Sequence, residues 1–277
     1  MKTRKLIALD MDGTLLMTDK SVHPDTVTDI REAERQGLTF VYCSGRSVPE
    51  LLLFSEKLPM IRYAVCLSGS VVYDLRERRS LYKQMIPLEL VFPIMEAAEE
   101  TDAMLHFLLE EESVVRADQV THMADFCRAE FQETFLLTTR SVTDMREEAQ
   151  KHTCMAKVNL YCHSAADRER AYEKIKHLPL TFVFIEEASL EITAAEVSKA
   201  SGMRVLADHL GFRMDDVMAV GDSENDRAVL EAAGFSVAMQ NAEEAIKELC
   251  DAVTERDNDH NGVGEAIRRF AGIRQQA

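Results

Sequence analysis

Short apolar runs alternate with amphipathic segments over the first seventy residues. Strands that are apolar on both faces are typical of a buried parallel sheet, and segments with apolar residues three and four apart are typical of helices. The pattern predicts strands at residues 5–9, 38–43 and 63–67, with helices at 26–36 and 48–57 between them. This alternation predicts a doubly wound α/β sheet.

The middle of the chain has a different pattern, with closely spaced strand pairs and isolated helices. It predicts a hairpin at 71–74 and 81–86, a helix at 87–101, an antiparallel pair at 103–110 and 113–117, strands at 157–162 and 181–186, and a helix at 165–177. Mixed hairpins and helices of this kind are typical of an α+β module. We therefore predict an inserted α+β domain over residues 87–190.

The first pattern returns after the insert. It predicts helices at 199–210 and 226–233, strands at 216–220 and 235–239, and two amphipathic helices at the end of the chain. The expected fold is a doubly wound, mainly parallel Rossmann-like core sheet, formed by residues 1–86 and 191–277, with an inserted α+β cap domain.

The composition narrows the class of partner. The formal net charge is −16, and such an acidic surface disfavours nucleic acid and anionic membranes. The six cysteines include no C-x-x-C pair, so no zinc site is expected. Asp10 and Asp12 interrupt the N-terminal apolar run before it reaches the length of a secretory or membrane segment. We expect a cytoplasmic protein; its oligomeric state is not indicated.

Polar clusters follow three of the predicted strands. The first is the string Asp10-Met11-Asp12-Gly13-Thr14. A positioned carboxylate can take up a phosphoryl group, and a second carboxylate can donate a proton to the leaving oxygen. Two aspartates alone would also suit a solvated loop, but the full string after an apolar strand is more specific.

A second cluster, Ser44-Gly45-Arg46, follows the next strand. Its hydroxyl and backbone N–H groups suit phosphoryl oxygens, although a helix cap is the favoured explanation of this short motif taken alone. Lys199 opens a helix, where a cation opposes the helix dipole. It suits the binding of a phosphoryl group, whereas the alternative is a solvated surface lysine.

The last cluster, Gly221 to Asp226, lies at the end of a further strand. Its metal-ligating atoms are all oxygens, and Asn225 adds a hydrogen-bond donor for a phosphoryl oxygen. Such a set is suited to Mg²⁺, with Asp222 as the direct ligand and Asp226 in support. An acidic loop that caps a helix is the alternative. Because the carboxyl ends of parallel strands meet at one edge, the clusters are expected to converge there.

These four motifs, in this order, resemble those of the haloacid dehalogenase superfamily. The position of the insert, and the segments Ala238-Met239 and 261–267, are similar to its Cof-type branch of sugar-phosphate phosphatases. The resemblance covers essentially the whole chain. It implies a Mg²⁺-dependent phosphatase of small phosphorylated metabolites that forms an aspartyl-phosphate, with a cap that closes over the substrate.

The resemblance also implies residue roles. Asp10 is the nucleophile and a metal ligand, and Asp12 is the general acid and base and a metal ligand through its backbone carbonyl. Asp222 is a metal ligand with Asp226 supporting it. Phosphate is held by the Met11 backbone N–H, Ser44, Gly45, Lys199 and Asn225.

Some positions depart from the branch, which usually has Asn where this chain has Ser68, and Gly where it has Glu196, Ala200 and Gln240. We expect Ser68 to face the substrate and to shift substrate preference. Two alternatives stay open: a phosphomutase of the same superfamily, and a sugar-phosphate-binding regulatory protein with little turnover. The intact Asp10 and Asp12 weigh against the second alternative.

Overall fold

A computed structural model describes residues 5–272 of the chain. Its strands are β1 (Leu6–Leu9), β2 (Thr39–Cys43), β3 (Tyr63–Cys66), β4 (Val71–Asp74), β5 (Arg79–Lys83), β6 (Ile86–Pro87), β7 (Met104–Leu108), β8 (Ser113–Arg116), β9 (Arg140–Val142), β10 (Cys154–Met155), β11 (Lys157–Tyr161), β12 (Leu180–Ile185), β13 (Ser189–Ala194), β14 (Val217–Gly221), β15 (Phe235–Ala238) and β16 (Ala252–Val253). Its helices are α1 (Pro24–Arg35), α2 (Val48–Ser55), α3 (Leu88–Thr101), α4 (Ala117–Val120), α5 (Gln132–Thr138), α6 (Met145–Ala149), α7 (Ala165–Ile175), α8 (Lys199–His209), α9 (Arg227–Ala232), α10 (Glu244–Leu249) and α11 (Gly262–Phe270). Short 3₁₀ turns lie at Leu67–Gly69, Met123–Phe126, Ala129–Phe131, Met214–Asp216, Glu224–Asp226 and Asn258–His260.

An eight-stranded sheet has the order β16-β15-β14-β1-β2-β3-β4-β5. The strands from β16 to β3 are parallel, and β4 pairs antiparallel with β3. The chain runs from β1 outward to β2 and β3, and later continues on the other side of β1 through β14 and β15. The predicted doubly wound, mainly parallel sheet is therefore confirmed.

The apolar runs explain the central strands. All four residues of β1 are fully buried, so both faces of the strand are covered, as in doubly wound sheets. The Leu6 position pairs with Val217 on one side and with Thr39 on the other, which places β14 and β2 beside β1. The carboxyl ends of β14, β1 and β2 consequently lie next to one another.

The inserted segment forms its own six-stranded sheet, in the order β12-β13-β11-β7-β8-β9. One hydrophobic core includes residues of this sheet together with residues of α3 and α7. The antiparallel pairing of β7 and β8 confirms the predicted pair. The predicted strand at 81–86 is instead two strands, β5 in the large sheet and β6 in a small sheet with β10. The strand β13 and the helices α4–α6 were not predicted.

The described part of the chain divides into two compact units, the first formed by residues 5–45, 53–82 and 198–272, and the second by 46–52 and 83–197. The strand β13 crosses position 190, the predicted end of the insert. The division of labour between a catalytic core and a substrate cap stays a prediction. Within residues 5–272, none of the helices combines the length and apolar character that crossing a bilayer requires.

Candidate active site

Three predicted site residues lie at adjacent strand ends. Asp10 follows β1, Ser44 follows β2 and Asp222 follows β14. The Asp10 backbone N–H donates to the Val220 carbonyl at 3.0 Å, which extends the β1–β14 pairing by one residue. This edge of the sheet, where the strand order reverses around β1, is where open α/β sheets bind ligands.

Lys199 connects the first motif with the last. Its Nζ donates to Asp10 Oδ1 at 2.7 Å and to Asp226 Oδ1 at 2.6 Å. It also donates to Asn225 Oδ1 at 3.2 Å. The side chain is only 2% exposed, so the alternative of a solvated surface lysine is excluded. Ser198 caps α8 through its hydroxyl, and this cap fixes the start of the helix that carries Lys199.

The buried charges shift one another's pKa values. Burial raises the pKa of Asp10 well above its usual range, and the charges of Asp226 and Asp222 add to this although Lys199 opposes it. Burial and the charge of Asp226 also raise the pKa of Asp222 to about 7. For Lys199, burial alone lowers the pKa, but Asp10 and Asp226 outweigh it and raise that pKa well above its usual range. Burial and the mutual repulsion of the carboxylates thus both oppose the ionisation of Asp10 and Asp222, and Lys199 offsets only part of this.

The donor set fits a divalent cation. Asp10, Asp222 and Asp226 each offer a carboxylate oxygen, and the three atoms lie within 4.8 Å of one another. An oxygen-only set of clustered carboxylates is suited to a hard ion such as Mg²⁺, which would offset the burial and the mutual repulsion that raise these pKa values. Asp226 also accepts hydrogen bonds from the Asp222 N–H at 3.1 Å and the Ser223 N–H at 3.4 Å. Its second oxygen therefore holds the Asp222 turn in place.

The turn after β1 is closely fitted to Asp222. Gly13 has φ +78°, and a Cβ added there would lie 2.4 Å from Asp222 Oδ2, so only glycine fits without a shift. The Thr14 hydroxyl donates to Asp222 Oδ1 at 2.9 Å. Sequence reasoning gave Thr14 no role of its own, because a contact between residues 208 positions apart leaves no local pattern.

Asp12 is not part of this carboxylate cluster. Its Oδ1 accepts a hydrogen bond from Lys20 Nζ at 2.9 Å, and its side chain is 38% exposed. The partial exposure leaves the carboxylate accessible to a proton-exchanging group. Met11, between the two aspartates, is fully buried, and its carbonyl accepts from the Leu16 N–H at 2.8 Å.

Two backbone hydrogen bonds hold the second motif. The Ser44 N–H donates to Val65 O at 2.9 Å, and the Ser68 N–H donates to Ser44 O at 3.1 Å. Ser44 is buried and Gly45 is partly exposed. The turn after β3 therefore supports the turn after β2.

Ser68 adopts a left-handed backbone conformation, with φ 59° and ψ 22°. Gly69 follows Ser68 with φ +103° and packs closely against the residue that caps α8. A Cβ at position 69 would lie 2.0 Å from Ser198 O. Asn occupies the left-handed region more readily than Ser, so the backbone conformation by itself favours Asn at position 68. The expected influence of Ser68 on substrate preference stays a prediction.

Asn225 is oriented by its neighbours. Its Oδ1 accepts from Lys199 Nζ and from the Ser223 hydroxyl, both at 3.2 Å. Because both contacts use the oxygen, the amide NH₂ is the end that can donate to an anionic ligand. The structure thus brings together Asp10, Lys199, Asp222, Asn225 and Asp226, as the motifs predict. Their roles in binding and catalysis stay predictions.

Comparisons with known proteins agree with this architecture. The chain is 28% identical to the 5-amino-6-(5-phospho-D-ribitylamino)uracil phosphatase YcsE of Bacillus subtilis, over 96% of this chain and 95% of that protein. It is 26% identical to the pyridoxal phosphate phosphatase YbhA of Escherichia coli, over 96% and 98% of the two chains. The structure of a haloacid dehalogenase-like hydrolase from B. subtilis superposes with a TM-score of 0.86 and 26% identity, covering 96% of this chain and 99% of the other.

The family comparison covers nearly the whole chain. The model of the haloacid dehalogenase-like hydrolase family matches residues 7–267, which include every motif described above. Together with the convergence of those motifs at one edge of the sheet, this match shows that the chain belongs to the haloacid dehalogenase-like hydrolase family.

Proposed function

We propose that this chain is a Mg²⁺-dependent phosphatase that hydrolyses phosphomonoesters of small metabolites, sugar phosphates or related compounds, through an aspartyl-phosphate on Asp10. The observation that carries the proposal is the position of Lys199, whose Nζ lies between the Asp10 and Asp226 carboxylates. The proposal concerns the metal, the intermediate and the class of substrate. Membership of the family and full-length similarity to named phosphatases identify the chain as a phosphoric monoester hydrolase.

The named relatives support a small phosphorylated metabolite as substrate. YcsE is named for a phosphorylated ribitylamino compound, and YbhA for pyridoxal phosphate. The two organic groups differ while the phosphate is common to both. The net charge of −16 disfavours long anionic polymers and agrees with a small substrate.

In the first chemical step, an Asp10 carboxylate oxygen forms a bond to phosphorus while the bond from phosphorus to the ester oxygen breaks. Asp12 donates a proton to that leaving oxygen, which departs as an alcohol. In the second step, Asp12 accepts a proton from a water molecule that attacks the aspartyl-phosphate, which releases inorganic phosphate and restores Asp10.

The buried cation and the amide donor stabilise charge in both steps. Lys199 contacts Asp10 directly, so its positive charge lies beside the phosphoryl group once that group is attached. The Asn225 NH₂ and the Met11 N–H are further donors for the phosphoryl oxygens. Asp10, Asp222 and Asp226, with the Asp12 carbonyl, would hold Mg²⁺, which supplies further positive charge to the phosphoryl oxygens.

Replacement of Asp10 by Asn tests the proposal. With p-nitrophenyl phosphate and Mg²⁺, we expect Asp10→Asn to lose at least about a thousandfold in kcat, because an amide oxygen is a poor nucleophile. Asp215→Asn is the matched control, since the Asp215 side chain is 70% exposed and pairs with Arg213 at 3.5 Å. Equal activity of Asp10→Asn and the control would rule out the mechanism.

Measurement of inorganic phosphate separates the proposed activity from the two alternatives. A phosphatase releases phosphate stoichiometrically from a panel of sugar phosphates and pyridoxal phosphate. A phosphomutase returns the phosphoryl group to the sugar and produces an isomeric sugar phosphate instead. A binding protein with little turnover produces neither product, while it still binds the substrate in calorimetry.

A further inference from the structure

A loop after β15 joins the turn that carries Asp10 to the turn that carries Asp222. The Asn241 side chain in this loop donates from Nδ2 to Gly13 O at 2.8 Å. Two residues later, the Glu243 N–H donates to Asp222 O at 2.9 Å. One short segment therefore contacts the backbone of both turns at the candidate active site.

A second residue fixes the orientation of the Asn241 amide. The Asn258 N–H donates to Asn241 Oδ1 at 3.1 Å, so the oxygen is occupied by a backbone donor and Nδ2 is the end that faces Gly13. The Asn258 side chain in turn donates from Nδ2 to Leu16 O at 3.0 Å. The two asparagines thus bind the turn after β1 at two carbonyls, three residues apart.

We propose that Asn241 is a positioning residue that holds the Gly13 carbonyl and thereby sets the placement of Asp12 and of the Asp222 carboxylate. Gly13 is bonded to Asp12, and its Cα lies so close to Asp222 that a Cβ would be 2.4 Å from Oδ2. The Gly13 carbonyl belongs to the peptide that joins Gly13 to Thr14, whose hydroxyl donates to Asp222 Oδ1 at 2.9 Å. A rotation of this peptide would therefore shift Gly13 and the Thr14 hydroxyl against the Asp222 carboxylate, and would shift Asp12 with Gly13. The kinetic part of this inference rests on the proposed phosphatase function.

Two variants separate the contribution of the Asn241 NH₂ donor from that of its Oδ1 acceptor. Asn241→Asp keeps an oxygen for the Asn258 N–H but has no donor for Gly13 O, whereas Asn241→Ala removes both groups. Thr18→Val is the matched control, in the segment between β1 and α1 that also carries Gly13. It loses the 2.7 Å hydroxyl bond to Asp259, while the Thr18 backbone N–H keeps its own 2.7 Å bond to Asp259.

With p-nitrophenyl phosphate and Mg²⁺, we expect both Asn241 variants to lower kcat about tenfold, because small displacements of reacting groups are costly. KM should stay within about twofold, since the contact positions groups for the chemical step rather than for substrate binding. Thr18→Val should keep the kcat of the wild type. An Asn241→Asp variant with the kcat of the wild type overturns the inference.

Hydrogen exchange tests the same contact without any turnover. The N–H groups of Thr14, Leu15 and Leu16 bond within the turn, and we expect them to exchange about tenfold faster in Asn241→Asp than in the wild type or in Thr18→Val. Unchanged exchange would reject the inference. If the wild type releases no phosphate but the exchange is faster in the variant, the positioning contact stands and the proposed function fails.

Discussion

Replacement of Lys199 by Met removes the buried cation that contacts Asp10, Asp226 and Asn225. Methionine keeps most of the length of the stem and adds no new charge. Both carboxylates then lose a hydrogen bond of 2.7 Å or shorter and the charge that balances them. The site is deeply buried, with the Lys199 side chain 2% exposed and those of Asp10 and Asp226 7% and 1% exposed.

We expect Lys199→Met to lose about 3–5 kcal/mol of unfolding free energy at pH 8 without metal, because removal of one partner of a buried ion pair leaves the other charge uncompensated. Proton uptake limits this cost. Burial already raises the pKa of Asp10, so the folded variant binds more protons than the unfolded chain, and lower pH favours the folded state. We therefore expect the difference in unfolding free energy between the wild type and Lys199→Met to shrink by up to about 1.4 kcal/mol per pH unit as the pH falls.

Urea unfolding with and without Mg²⁺ measures this cost. Mg²⁺ should stabilise Lys199→Met by about 1–2 kcal/mol more than it stabilises the wild type, since each tenfold gain in affinity is worth about 1.4 kcal/mol at saturating metal. Lys157→Met is the matched control, because Lys157 pairs with Glu191 at 2.6 Å and its side chain is 1% exposed. Its loss of stability should not depend on Mg²⁺.

Two results would refute this reasoning. One is a Lys199→Met variant within about 1 kcal/mol of the wild type at pH 8, since the loss of a buried partner costs several times that amount. The other is equal stabilisation of the variant and the wild type by Mg²⁺, which would mean that the ion does not bind beside these carboxylates.

Three further substitutions test separate features. Gly13→Ala should lower stability by about 2 kcal/mol and abolish Mg²⁺-dependent hydrolysis, because the methyl group would meet Asp222 and alanine disfavours φ +78°; retained activity would contradict the close fit. Ser68→Asn should raise the unfolding free energy by about 0.5–1 kcal/mol, since Asn tolerates the left-handed conformation better, and a loss of stability in urea unfolding would oppose this. The Arg140 guanidinium holds the pKa of Glu148 at about 2, below its unfolded value, so this stabilisation is present above the unfolded pKa and disappears as the pH falls toward 2. Glu148→Gln should therefore cost about 1–2 kcal/mol at pH 7 and almost nothing near pH 2, and a cost independent of pH would argue against the ion pair.

Much of the large sheet could be predicted because its strands are apolar on both faces. The run at Leu6–Leu9 and the segment at Thr39–Cys43 are recognisable without any partner, since burial on two sides demands apolar residues at consecutive positions. The strand Ser189–Ala194 was missed for the opposite reason. It carries Glu191 and Thr193 between apolar residues, and its place inside a sheet depends on pairing with β11 and β12.

The helical segments between β8 and β11 were also missed. The helices α4, α5 and α6 are only four, seven and five residues long, which is too short to show a clear helical periodicity of apolar residues. Phe126 and Phe135 are buried in a small cluster with Met104 and Tyr161 of the neighbouring strands. Helices this short are stable only when packing against other elements supports them.

Local order in the sequence determined which residues follow which strands. Asp10, Ser44 and Asp222 each come directly after an apolar run, and parallel strands bring their carboxyl ends together, so the convergence of these residues could be expected before any contact was known. The same motifs indicated an oxygen-rich site and a nearby lysine. Short segments of the sequence therefore identify the reactive groups of the site.

Only the tertiary structure decided how those groups are held. The pairing of Lys199 with Asp226 as well as Asp10, the bond from Thr14 to Asp222 and the bond from Asn241 to Gly13 join residues far apart in the chain. These contacts depend on distances between side chains and on backbone angles, which the order of residues does not encode locally. The identity of the reactive groups is therefore local, whereas their placement and pKa values arise from burial and from neighbours that folding brings together.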